Sequence, residues 1–164
     1  MLGIDPGTGI LGYGVVATGT GRVRLIECGV IRTRTSDALA TRLATIFDGI
    51  VELVERHRPD AVAVEGLFHG RNARSALVLG HARGVVLLAV ARAGLPVAEI
   101  SPAEVKRAVT GTGAATKPQV SAMIMRLLHL AAMPTPADAA DGVAIALTHL
   151  LRLDPRATMT AARR

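Results

Sequence analysis

Met1-Leu-Gly-Ile-Asp-Pro-Gly-Thr-Gly-Ile-Leu-Gly-Tyr-Gly14 opens the chain. Apolar Leu2 and Ile4 read as the end of a first strand. Asp5 then stands alone before Pro6, Gly7, Thr8 and Gly9, a run that makes a tight turn. Beyond it Leu11, Tyr13 and Val15 alternate with Gly12, Gly14 and Val16, the period of a second strand. The expected unit is a glycine-rich hairpin with one carboxylate at the end of its first strand. Small residues around a lone acid leave room for a large ligand, such as a metal ion carrying a phosphate. Asp also bonds turn amides on its own account, and this stretch alone does not separate the two roles.

Downstream, Arg22 to Arg32 carries Val23, Leu25 and the run Cys28 to Ile31, which reads as a third strand of an antiparallel meander. A helix is expected from Ser36 or Asp37. Its apolar stripe is Leu39, Leu43, Ile46, Phe47, Ile50, Val51 and Val54, and it ends near His57 with Pro59 just beyond. Asp60-Ala-Val-Ala-Val64 suits a buried parallel strand, and Glu65 leaves it at the same kind of position as Asp5. In α/β sheets ligands bind outside the carboxyl ends of the strands, although an acid there is often simply solvated. The loop 66–74 holds Phe68, which belongs to no apolar stripe, beside His69, Arg71 and Arg74. Such an aromatic either stacks on or wedges between bases, or folds back onto the domain. Ser75 to Gly94 forms a helix that is apolar on nearly all sides, so one side packs on the sheet and the other needs a partner. Gly80, Ala82 and Gly84 allow close approach, which makes a subunit interface plausible. Leu95 to Ile100 supplies a last strand.

Ser101-Pro-Ala-Glu104 and Thr116-Lys-Pro-Gln119 are capping boxes that open two further helices. Between them lie Thr112 and several glycines, flanked by Lys106 and Lys117. Amides, hydroxyls and lysines together suit a phosphate backbone, and equally a solvated turn. Thr135-Pro-Ala-Asp138 caps the final helix, running to about Leu151. Asp138 and Asp141 share a face of it, and the apolar remainder turns that face inward, where two acids need a counter-charge. Residues 1–153 therefore read as one domain, and 154–164 as a flexible basic tail.

The bulk properties agree. Net charge is +6 and the pI is near 10.9, which favours a polyanionic partner such as nucleic acid. The three aromatics, Tyr13, Phe47 and Phe68, argue against a large stacking platform. The lone Cys28 excludes an internal disulfide and a cysteine-based metal site, and reads as a buried strand thiol. No window approaches eighteen uncharged apolar residues and no signal sequence opens the chain, so a soluble, cytoplasmic protein is expected.

Asp5, Glu65, Asp138 and Asp141 thus group at one sheet edge, where they would repel each other unless a metal neutralised them. Oxygen-only ligands select Mg²⁺ or Mn²⁺. Two such ions about 4 Å apart activate a water and stabilise the leaving oxygen in phosphodiester hydrolysis.

Gly3-Ile-Asp-Pro-Gly-Thr-Gly9 with Gly12-Tyr-Gly14, Val64-Glu65 and Phe68 resemble the RuvC family of Holliday-junction resolvases. So do Asn72-Ala-x-Ser-Ala-Leu77, Gly80-His-Ala-Arg-Gly84, Val105-Lys106, Gly111-x-Gly-x-Ala-x-Lys-x-Gln-Val120 and Asp138-Ala-Ala-Asp-Gly-Val-Ala-Ile-Ala146. The likeness runs to about His149 in the family's order. It implies an RNase H-like α/β fold, a five-stranded mixed sheet flanked by helices. It also implies a homodimer that nicks opposed strands of a four-way DNA junction symmetrically, in recombination and repair, alongside a RuvA–RuvB branch-migration complex. By resemblance Asp5, Glu65, Asp138 and Asp141 are catalytic metal ligands, and Phe68 contacts the junction with Arg71 and Arg74 near it. Lys106 and Lys117 then lie near the scissile phosphate. Hydrolysis by a metal-activated water would leave 5′-phosphate ends. Some members carry His in the final pair, whereas this chain has Asp at both positions. Two alternatives remain: an actin-like ATPase, which the short chain fits badly, and a non-catalytic or RNA-processing protein of the same fold.

Overall fold

The computed structural model describes residues 1–19, 22–66 and 73–153, with the Arg74 side chain outside that description. Phe68, Arg71 and the 154–164 tail also lie outside it. The elements follow as β1 (Leu2–Asp5), β2 (Ile10–Gly19), β3 (Arg22–Arg32), α1 (Leu39–His57), β4 (Val62–Glu65) and α2 (Ala73–Arg92). After them come β5 (Val97–Ile100), α3 (Pro102–Thr110), α4 (Lys117–Leu128) and α5 (Ala137–Leu153). The strands make one sheet in the order β3-β2-β1-β4-β5. The β1-β2 and β2-β3 pairs are antiparallel, while β1-β4 and β4-β5 are parallel. This is the five-stranded mixed sheet of the RNase H-like fold.

Strand alternation divides the core between two faces. Leu2, Ile4, Leu11, Val15, Val62 and Val64 point to one face and pack against Ile46, Ile50 and Leu53 of α1 and Ala82, Val86 and Val90 of α2. On the other face Val16 and Val23 meet α5 through Val143, Ala146, Leu147 and Leu150, and α4 through Ile124, Leu127 and Leu128.

Three local expectations need correction. First, α1 begins at Leu39 rather than at Ser36 or Asp37. Its N-cap is Ala38, with no side-chain cap, because the Asp37 amide is taken by a turn to the Arg34 carbonyl at 3.1 Å. Second, α5 is not capped by Thr135. The Pro136 carbonyl accepts from the Ala139 amide at 3.0 Å, which places Asp138 second in the helix. Third, Cys28 is half-buried rather than buried, against the α4–α5 side of the sheet. The α2 helix is covered on one side only, as its sequence leads one to expect. Its segment Ser75–Arg92 is long and apolar enough, by length and composition, to cross a membrane. It is not an uncharged run, since Arg83 pairs with Glu99 of β5 at 2.5 Å, and its inner face is core. The high hydropathy comes from an apolar outer face, where Leu77 is 66% and Leu88 54% exposed.

Candidate active site

The strand glycines have a role that differs from the expected one. In place of leaving room for a ligand, they let α5 lie directly on the sheet backbone. A Cβ on Gly3 would collide with the backbone of Gly142 and Ala146, and one on Gly14 would come within 2.5 Å of the Val143 Cα. A Cβ on Gly12 would collide with the Asp138 carbonyl. From α5, a Cβ on Gly142 would lie 2.6 Å from the Tyr13 Cα. Glycine in a strand commonly marks such a backbone approach. The consequence is positional: Gly12 is the register partner of Asp5, so the first turn of α5 is brought over the end of β1.

Glu65 arrives by a separate route. Parallel pairing of Ile4 with Val64 puts the next residues of the two strands, Asp5 and Glu65, side by side. The Asp5 carboxyl is pushed up to about 8, first by burial, then by the charge of Glu65, a hydrogen bond to it, and the charges of Asp141 and Asp138. Asp5 therefore feels all three of the other predicted acids. Asp138 and Asp141 are only half-buried, against the expectation of an inward-facing pair, because α5 enters the core from Ala139 and Ala140 onward while its first turn overhangs the sheet edge. Burial also raises the Asp141 carboxyl; Lys117 opposes this and Asp138 adds to it. Among the described residues, no three His, Cys, Asp or Glu side chains converge closely enough to hold a metal ion as placed.

The two predicted lysines reach the same place from the α3–α4 corner. Ser101 caps α3: its hydroxyl accepts from the Glu104 amide at 3.3 Å, while Glu104 Oε2 accepts from the Ser101 amide at 2.8 Å. This fixes the helix that carries Lys106. At α4 the Gln119 side chain accepts from the Thr116 amide at 2.8 Å, so the expected box is anchored through Gln119. Lys117 is the first residue of α4, where a cation opposes the helix dipole. Its Nζ lies 3.8 Å from Asp141 Oδ2, which offsets that cost. Glu65, Lys106, Lys117 and Asp141 line a cleft of about 400 Å³ with Val105, Val120 and Ile145 behind them. The arrangement combines acids short of positive charge with two lysines at the rim, which suits a cation and a phosphate together.

Sequence reading passes over Arg42 and Thr33, which hold the turn after Asp5. The Arg42 Nε donates to the Thr8 carbonyl at 3.1 Å. A cation in the first turn of a helix with no acid there was the available signal.

A family model described as crossover junction endodeoxyribonuclease RuvC matches residues 1–149. The curated crossover junction endodeoxyribonuclease RuvC of Moorella thermoacetica is 51% identical over 149 residues, 91% of this chain and 89% of that protein. That of Pelotomaculum thermopropionicum is 47% identical over 149 residues, 91% of each chain. Among solved structures, T. thermophilus RuvC in complex with a Holliday junction substrate superposes with a TM-score of 0.89, at 39% identity and 95% coverage of both chains.

Proposed function

Because the chain belongs to the RuvC family of crossover junction endodeoxyribonucleases, we propose that it hydrolyses two opposed strands of a four-way DNA junction at the cleft beside Asp5. The observation that carries this is the parallel register that sets Asp5 against Glu65 beneath the first turn of α5. The residues present fit a hard divalent cation: all four donors are carboxylates, and burial first, then the neighbouring acids, drive Asp5 to hold a proton, with Lys117 the single cation paired with the four among the described residues. Asp5, Glu65, Asp138 and Asp141 would hold Mg²⁺ or Mn²⁺. The ion would supply the positive charge and Lewis acidity that activate water and stabilise the leaving oxygen.

The chain's own residues do the rest. Lys106 and Lys117 at the cleft rim receive the phosphates flanking the scissile bond. The collision-limited contact of α5 with Gly12 sets Asp138 against Asp5 with little slack, which orients the acids before DNA arrives. Hydrolysis leaves 5′-phosphate and 3′-hydroxyl ends. Phe68, Arg71 and Arg74 would contact the junction DNA. The outer face of α2, an apolar trough formed by Leu77, Gly80, Gly84, Val85 and Leu88 with Leu43 of α1, joins two copies about a two-fold axis, giving the two sites that symmetrical nicking needs. A RuvA–RuvB complex supplies the junction, in the cytoplasm.

The experiment is a nicking assay with Mg²⁺ on a four-way junction, the matched duplex and an RNA–DNA hybrid. Paired nicks on the junction alone, resealed by ligase, are the expected result. Metal-independent nicking, or equal cleavage of duplex or hybrid, would sink the reading. For the dimer, Leu88→Asp should shift the sedimenting species toward monomer at micromolar concentration; unchanged sedimentation would place the interface elsewhere.

A further inference from the structure

Beyond Pro6, the turn after Asp5 is made of residues that do not hold their own shape. Thr8 stands between Gly7 and Gly9, and glycine populates more backbone conformations than any other residue. Gly7 packs so closely on the Ile10 carbonyl that a Cβ there would collide with it. A turn this tight and this rich in glycine needs an external tether to keep one conformation.

The tether comes from the layer opposite α5. Arg42, in the first turn of α1, donates from Nε to the Thr8 carbonyl at 3.1 Å and shares that hydrogen with the Thr33 hydroxyl at 3.2 Å. The Thr33 hydroxyl donates to the same Thr8 carbonyl, and the Thr33 amide donates to the Gly9 carbonyl at 3.0 Å. One guanidinium therefore joins α1, the end of β3 and the turn at the sheet edge where the acids lie. Helix energetics give no reason for a cation at that place. The α1 N-terminus has no side-chain cap and no acid in its first turn, so Arg42 opposes the dipole. Among the described residues it takes part in no ion pair either.

We propose that Arg42 is a positioning residue of the nuclease site: with Thr33, it clamps the turn at Thr8 and so holds Asp5 beside Glu65. The inference rests on the proposed nuclease reading, and it concerns a residue outside the acid cluster. A carbonyl gripped by two donors cannot rotate, and Thr8 is three residues from Asp5. Loss of the grip loosens Asp5 along the β1–β2 turn without removing any carboxylate.

The test compares Arg42→Ala, Arg42→Lys, Thr33→Val and the double variant Arg42→Ala/Thr33→Val, with Asp5→Asn as the control. Three quantities are read: single-turnover junction cleavage across a Mg²⁺ titration, junction affinity without Mg²⁺ at several salt concentrations, and the Mg²⁺-induced thermal shift of the free protein. For Arg42→Ala we expect cleavage slowed roughly 10- to 100-fold, the scale of a small misplacement in a site. The Mg²⁺ needed for half-maximal rate should rise and the thermal shift should shrink, with junction affinity and its salt slope unchanged. Arg42→Lys should recover part of the rate, since an ammonium can still reach the Thr8 carbonyl. The double variant should be little worse than Arg42→Ala alone, as expected for residues acting as one unit. Should Arg42→Ala fail to fold, the nearly isosteric Thr33→Val carries the test with the same expected direction. Wild-type cleavage and thermal shift in the variants would overturn the proposal. So would weakened junction binding with a shallower salt slope, which identifies a phosphate contact instead. If Asp5→Asn itself cleaves, the nuclease reading of the site has failed; if it is dead while Arg42→Ala and Thr33→Val are normal, only the clamp has.

Discussion

The two faces of the sheet are built on opposite principles. Toward α1 and α2 the strands present Leu2, Ile4, Leu11 and Val15, and side chains fill the space between sheet and helix. Toward α5 the strands present Gly3, Gly12 and Gly14, and helix backbone lies on strand backbone. A side-chain layer can repack by changing rotamers, whereas a backbone contact has no such freedom. The stiff face carries the acids at its upper edge. The compliant face ends in an apolar helix surface that this chain leaves uncovered at Leu77 and Leu88. The proposed chemistry thus sits where positions are least adjustable, and the proposed self-association where an apolar surface is spare.

The sharpest way to test the stiff face is to change its charge without its shape. Asp5→Asn should lower junction cleavage at least about 10³-fold while junction affinity is retained. The same variant should stabilise the metal-free protein. The Asp5 carboxyl is raised, by burial first and then by Glu65, from its ordinary value of 3.8 to about 8. A group whose folded value is raised contributes stability that is complete below its unfolded value and is lost as pH rises through the folded one. Metal-free wild type should therefore lose stability between about pH 4 and pH 8, and Asp5→Asn should flatten that slope. The gain at pH 8 should be about 1 to 3 kcal/mol, less than the full linkage because the acids titrate together. Thermal melts with a chelator across that range check it. A variant less stable than wild type at pH 8 would mean that Asp5 serves the fold rather than the site.

How far this organisation is legible in the sequence depends on the range of the interactions involved. The β3 strand is read at its observed limits, Arg22–Arg32, and α1 ends at His57 as expected, because alternation, periodicity and a following proline are local signals. Asp5 and Glu65 are legible as strand-end acids for the same reason. The glycines are misread: a strand glycine announces a close approach but not what approaches, and here it is α5, more than a hundred residues away in sequence. The depth of Asp138 and Asp141 is misjudged because the helical period gives a face, not where the helix overhangs the sheet. Arg42 is missed outright, since its hydrogen bonds go to a turn carbonyl and a strand-end hydroxyl that no spacing rule connects. The open face of α2 is legible in the sequence, because a helix apolar on nearly all sides needs a partner on the side away from the sheet.

Matched glycine substitutions then compare the faces directly. Gly12→Ala places a methyl where the Asp138 carbonyl now sits. Its relief requires α5 to move as a body, so we expect destabilisation of about 2 to 4 kcal/mol, within the range of severe overpacking. Cleavage should fall further than stability explains, because the displaced turn carries Asp138 and Asp141. Gly84→Ala on α2 meets nothing within 4 Å. Replacing a mid-helix glycine there should stabilise the folded monomer by about 0.5 to 1 kcal/mol through helix propensity alone. Urea denaturation of both variants, with sedimentation to separate folding from self-association, measures the contrast. If Gly84→Ala gains monomer stability yet weakens self-association, then α2 of a second copy comes as close to that position as α5 does to Gly12. The two faces would then share the same backbone-on-backbone design, one within the chain and the other between copies. If both terms are unchanged, the spare face is compliant throughout, and the stiffness belongs to the acid edge alone.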